Sequence, residues 1–175
     1  MRALLTTASI SVVLMSSAIA APPKQLYGKS ATVSWLETRS QRDGQSGPFR
    51  SIGLPYTMVF YVSTEGRLFA RSSTRSPGGA GSVDRVGTGA GNGEARNVTF
   101  SGTRILSRSA FQGAARQIEV NFDPSFSGCT AHVITAIPKG AKTAVIRSIT
   151  TGNIVEFESV SAGPASCSIS SGNPF

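Results

Sequence analysis

Beyond residue 20, apolar residues return at every second position rather than every third or fourth, which predicts a chain built of β-strands. In "KSATVSWLE", Ala31, Val33 and Trp35 fall on one face and Thr32 and Ser34 on the other. That is the pattern of a strand with one dry side, and it makes Trp35 a core anchor. The segment "YTMVFYVSTEGRLFARSS" reads as a hairpin turning at Thr64, Glu65 and Gly66, with Gly66 supplying a positive φ. Tyr56, Met58, Phe60 and Val62 alternate with Thr57, Val59, Tyr61 and Ser63, so both faces are partly apolar and the strand is expected to be central. Further strands are expected in "RNVTFSG", "TRILSRS", "RQIEVNF", "CTAHVITAI", "TAVIRSI" and "NIVEFESV", with a turn at Thr150 to Asn153 between the last two.

About eight short strands in a row of sequence-adjacent hairpins predict an all-β fold, first as a single antiparallel up-and-down β-barrel and second as a β-sandwich. An immunoglobulin-type sandwich fits less well, since Trp35 precedes both cysteines. Two stretches break the alternation. "TRSPGGAGSVDRVGTGAGNGEA" (residues 74–95) carries seven glycines and reads as a long mobile loop. "TRSQRDGQSGPFR" is the second, and together the two are candidates for lids over a barrel mouth.

The first twenty residues, with Arg2, the apolar run "ALLTTASISVVLM" and the small residues Ala18 and Ala20, read as a secretory signal peptide cleaved before Ala21. A membrane anchor is disfavoured because the run falls short of the ~20 residues a spanning helix needs. Residues 21–175 are then one exported domain, periplasmic or secreted, with no transmembrane helix of its own. In that compartment Cys129 and Cys167 are expected to form one disulfide, tying the C-terminal tail to the sheet.

Candidate chemistry is sparse. Asp123, Cys129 and the single histidine, His132, lie close together in "FDPSFSGCTAHV". Strand residues three apart point to opposite faces, so Cys129 and His132 cannot work as a thiol–imidazole pair. Asp123 precedes Pro124 and reads as a turn residue. No G-x-S-x-G elbow is present, and one histidine and two cysteines are too few for a zinc site. Glu156 and Glu158 are spaced at about 7 Å on one strand face, yet Val155 and Phe157 opposite them make the pair the wet side of an amphipathic strand. "GTGAGNGEA" lacks the G-K-[ST] ending of a phosphate loop. Asn97, Val98 and Thr99 spell a glycosylation sequon inside a strand, read as chance. The chain ends in a phenylalanine like an outer-membrane barrel, but Asn173 and Pro174 interrupt the last strand and the strands are too short and polar. The sequence therefore predicts no catalytic site, no metal and no cofactor.

Charge adds the remaining clue. The formal net charge of +8 falls by one with the leader, and the rest of the chain holds twelve arginines but only four lysines. Arg67, Arg71 and Arg75 recur along one hairpin arm with Phe69 between the first two, and Arg104 and Arg108 share a strand face. Arginine forks suit phosphate and carboxylate, so these five are candidate anion-binding residues for a lipid, glycan or anionic envelope polymer. Nucleic acid is an unlikely partner for an exported chain.

"YVSTEGRLFARSS", "IEVNFDPSFSGCTA" and "SCSISSGNPF" resemble segments of small exported proteins of alphaproteobacteria that carry no assigned activity, and this similarity implies export but no catalytic residues. The barrel outline is similar to lipocalins and avidins only by analogy. The functional expectation is an exported, non-enzymatic β-barrel that binds a small apolar or anionic envelope ligand in its mouth or on its basic strip. The alternative is a structural or interaction protein of the envelope with no small ligand.

Overall fold

The computed structural model describes residues 21–44, 46–75, 82–86, 89–90, 94–95, 97–111, 114–137, 139–147 and 152–175. The signal-peptide reading lies outside them. Among the described residues, twelve strands are arranged in two antiparallel sheets. They are β1 (Lys29–Asp43), β2 (Arg50–Val62), β3 (Leu68–Arg75), β4 (Ser82–Val86), β5 (Gly89–Ala90), β6 (Glu94–Ala95), β7 (Val98–Ser101), β8 (Arg104–Phe111), β9 (Ala114–Phe122), β10 (Cys129–Ala136), β11 (Ala144–Arg147) and β12 (Ile154–Ser171). The first sheet runs β11-β12-β1-β2-β3-β6-β5, with β4 also on β3, and the second runs β10-β9-β8-β7. Among the described residues no helix is long and apolar enough to cross a membrane.

The fold is all-β, as expected, but neither sheet closes on itself, so the preferred barrel gives way to the sandwich. Sequence-adjacent hairpins are common to both architectures, and they do form: β1-β2-β3 is one meander and β7-β8-β9-β10 another. What decides between them is where the chain goes after β10. It returns to the first sheet, where β12 pairs along β1 from Lys29↔Ser171 to Asp43↔Val155.

Two of the expected loops are partly strand. Thr38 to Asp43 continue β1 and Arg50 opens β2, which reduces "TRSQRDGQSGPFR" to a hairpin turn. Within the glycine-rich stretch β4 pairs with β3 and β6 meets Phe69, while residues 76–81, 87–88 and 91–93 lie outside the described residues. With no barrel mouth, there is nothing for these segments to cover as lids.

The core sits between the sheets. Ala31, Val33 and Trp35 of β1 and Tyr56, Met58, Phe60 and Val62 of β2 face Ile105, Ile118, Val120, Phe122 and Val133 of the second sheet. Trp35 stacks on Tyr56 with centroids 5.4 Å apart, and Phe122 lies between Phe100 and Phe126 at 6.0 and 5.7 Å. Each such side chain contributes roughly 1.5–3 kcal/mol by leaving water. β12 keeps its dry side toward this core by means of two bulges, each adding one residue to β12, opposite Trp35/Glu37 and Ser40/Gln41. Each bulge shifts the alternation by one, so Val155 and Phe157, then Val160 and Ala162, then Ala165, Cys167 and Ile169 pack inward. Gly163 sits at the first bulge, where a Cβ would lie 3.2 Å from the Leu36 carbonyl oxygen.

Cys129 and Cys167 form the expected disulfide, with Cα atoms 5.6 Å apart. Its role differs from the expected one. Residues around Cys167 are themselves a strand of the first sheet, so the bond joins two sheets across their open side rather than anchoring a tail.

The Asp123 turn is a self-contained polar knot. The carboxylate accepts hydrogen bonds from Ser125 Oγ at 2.7 Å and from the Ser127 amide and hydroxyl at 3.1 Å, and Phe126 adopts φ 55° beneath it. The Ser125 hydroxyl and then the Ser127 amide lower its pKa from 3.8 to about 2. A depressed folded-state pKa stabilises above the unfolded value and loses that contribution as pH falls through the folded one. Asp123→Asn should therefore be less stable than the parent at pH 5, and urea midpoints should show the gap closing between pH 4 and pH 2.

Candidate anion-binding hollow on the second sheet

The five arginines singled out from sequence do not come together. Arg67 and Arg71 point outward from the first sheet, with Arg67 over Phe69 at 5.5 Å and Arg71 over Phe175 at 5.9 Å. Arg75 is paired with Ser82 through the backbone, and its side chain lies outside the described residues. Arg104 and Arg108 point outward from the second sheet, on the opposite side of the sandwich, because Ile105 and Ser107 take the inward positions of β8. Arg104 lies 3.8 Å from Glu119, and Arg108 donates from Nε to Gln117 Oε1 at 3.2 Å.

Around Arg108 the outer face of the second sheet is dished. Arg108, Gln117 and Ile134 form one cross-strand row over β8, β9 and β10, and Ala115 and Ala136 face each other in the next. Alanines beside long side chains leave a hollow of about 490 Å³, also lined by Asn97, Ser109 and Arg116. Ile134 is 48% exposed on its wall. Among the described residues lining it there is no carboxylate, and of its two arginines Arg108 directs its side chain to this outer face. A ligand there meets hydrogen-bond donors on an apolar floor.

Arg116 is the residue the sequence reading missed. Its side chain is almost fully buried between the sheets, on the face of β9 away from the hollow, and donates from Nη2 to Glu37 Oε2 at 2.6 Å. Its guanidinium lies 4.3 Å from the Tyr56 ring centroid and 5.3 Å from that of Trp35, within cation–π range. The other Glu37 oxygen accepts from Arg39 Nε at 2.7 Å, and Arg39 Nη2 also reaches the Tyr56 hydroxyl at 2.9 Å. Glu37 and Arg39 are 0% and 1% exposed, so a carboxylate bridging two guanidiniums lies inside the sandwich. Such a bridge holds Arg39 and Arg116 in fixed poses inside the sandwich. The signal was present in the alternation: Glu37 and Arg39 continue the inward series of Ala31, Val33 and Trp35, and Arg116 precedes Ile118, Val120 and Phe122 by the same step.

The catalytic candidates discounted from sequence have structural roles here. Cys129 is spent in the disulfide, and His132 is exposed on the outer face of β10. Glu156 accepts from Arg42 at 2.8 Å, and that guanidinium holds it below the usual carboxylate range. Glu158 accepts from Ser40 at 2.9 Å. The bulge at Glu158 breaks the alternation that made these two a pair, and each serves its own β1 partner. Among the described residues no three His, Cys, Asp or Glu side chains group as metal ligands. Comparison with protein-family models, curated proteins and solved structures found no match for this chain.

Proposed function

We propose that the chain is an exported, non-enzymatic binding protein for an anionic envelope ligand, and that the ligand sits in the hollow of the second sheet. The reading is carried by Arg108: an exposed guanidinium, held to Gln117, on the wall of an open hollow with no lining carboxylate among the described residues. Ile134, Ala115 and Ala136 supply apolar surface next to these donors, the mixture typical of small-ligand sites. The site replaces the barrel mouth expected from sequence, and of the predicted basic strip it uses Arg108.

Calorimetric titration with short anionic amphiphiles and with polyphosphate tests this. Binding that weakens with salt is expected. Arg108→Gln should lower affinity about tenfold or more, since a hydrogen bond to a charged group contributes roughly 1.5–3 kcal/mol, with the circular dichroism spectrum unchanged. No binding by any anion in the panel would defeat the proposal.

A second reading, an envelope structural or interaction protein with no small ligand, has one observation in its favour. The space between the sheets is packed by side chains such as Phe60, Ile118 and Val120, each no more than 2% exposed. A partner protein retained on the immobilised chain, with no anion binding, would select it.

A further inference from the structure

Among the described residues the buried charged side chains are Glu37, Arg39 and Arg116, at 0%, 1% and 5% exposure. Two guanidiniums therefore share one carboxylate between the sheets, and one positive charge is in excess there. The strand registers bring no second carboxylate inward. Glu119 lies in the outer series of β9, and Asp84 and Glu94 stand opposite Ser73 and Phe69, which alternate with the inward Ala70 of β3. A buried charge in excess is costly in a low-dielectric interior unless an opposite charge joins it.

Buried polar groups almost always find hydrogen-bond partners, and two exceptions lie at this same place. Trp35 Nε1 and Thr135 Oγ1 are buried and have no partner among the described residues. Thr135 is the direct cross-strand neighbour of Arg116 on β10, and the Trp35 ring centroid lies 5.3 Å from the Arg116 guanidinium. An indole N–H can only donate, and a threonine hydroxyl is free to donate. Both groups therefore ask for an acceptor where the charge balance asks for a negative ion.

From this we infer that a small monovalent anion of halide size binds between the sheets, beside Arg116, accepting hydrogen bonds from Trp35 Nε1 and the Thr135 hydroxyl. A halide accepts from any direction and carries no substituent that the packed interior would have to accommodate. A water molecule would take the same two hydrogen bonds and leave the charge uncompensated. The site is internal and separate from the hollow, where Arg108, Gln117 and Ile134 occupy the opposite face of the sheet, so each stands or falls without the other.

Trp35 is the chain's single tryptophan, so its emission reports on this site. Iodide, which quenches an indole only on contact, is the probe, used on the folded, disulfide-bonded chain at constant ionic strength made up with sodium gluconate. Iodide is expected to quench saturably, neutral acrylamide to quench little because the ring is buried, and added chloride to restore the emission. Chloride should also raise the thermal midpoint relative to gluconate, since a ligand held only by the folded state stabilises it. Thr135→Val, which keeps the shape and removes the hydroxyl, should weaken iodide about tenfold without lowering the midpoint in gluconate, and Thr135→Ser should bind like the parent. Arg108→Gln should leave the quenching unchanged. The inference is overturned by iodide quenching that is linear and no stronger than that of acrylamide, which is the result a water molecule in the same place would give. It is equally overturned if chloride does not reverse the quenching, if Thr135→Val is quenched like the parent or is less stable in gluconate, or if Arg108→Gln abolishes the quenching and so moves the ion to the hollow.

Discussion

Glu37→Ala is expected to lower the unfolding free energy by about 3–5 kcal/mol, read from urea denaturation, because it leaves Arg39 and Arg116 buried without the carboxylate that bridges them. For a domain whose whole stability is ~5–15 kcal/mol, that brings the protein close to its threshold. The companion experiment separates the charge from the volume. Replacing Glu37 by Leu together with Arg39 and Arg116 by Met removes all three charges at once, and such exchanges are often neutral or stabilising. The triple variant should therefore stay folded. A triple variant as unstable as Glu37→Ala would mean that the cluster stabilises through packing that methionine and leucine cannot reproduce.

The second large effect is expected from the disulfide. Removing it as Cys129→Ala with Cys167→Ala opens a loop spanning 38 residues and should cost about 3–4 kcal/mol on the chain-entropy account. Because the bond spans the open side of the sandwich between β10 and β12, the loss should also be local. Hydrogen exchange is expected to quicken first in residues 129–136 and in the second half of β12, while β2 and β3 stay protected. Uniform acceleration across both sheets would show instead that the crosslink acts only on the unfolded chain.

Much of the strand content was legible because the local rules suffice for it. Alternation placed Ala31, Val33 and Trp35 on one dry face, and Gly66, at φ 80°, marked its hairpin turn. The pairing of Cys129 with Cys167 followed from there being no other cysteine. What failed was non-local. Whether two meanders close into a barrel or face each other depends on β12 finding β1, a pairing without any local turn to announce it. The end of β12 was hidden because Gly163 and Pro164 look like a strand stop when they are a bulge. The buried charges are masked in the alternation: in "RQIEVNF" the apolar series starts at Ile118, although Arg116 holds the same parity. Of the predicted arginines Arg108 lines the hollow and Arg104 does not, since only Arg108 shares a row with Gln117 and Ile134 next to small alanines.

The pairing of β12 with β1 has a consequence for the order of events during synthesis. β1 lies between β2 and β12, so one of its two hydrogen-bonding edges stays vacant until residues up to Ser171 have been made. At ribosomal speeds of ~5–20 residues per second, that wait after Asp43 lasts roughly 6–25 s. During it an incomplete sheet exposes an edge that neighbouring nascent chains can occupy. The polypeptide is thus kept from locking shut until translation is nearly over.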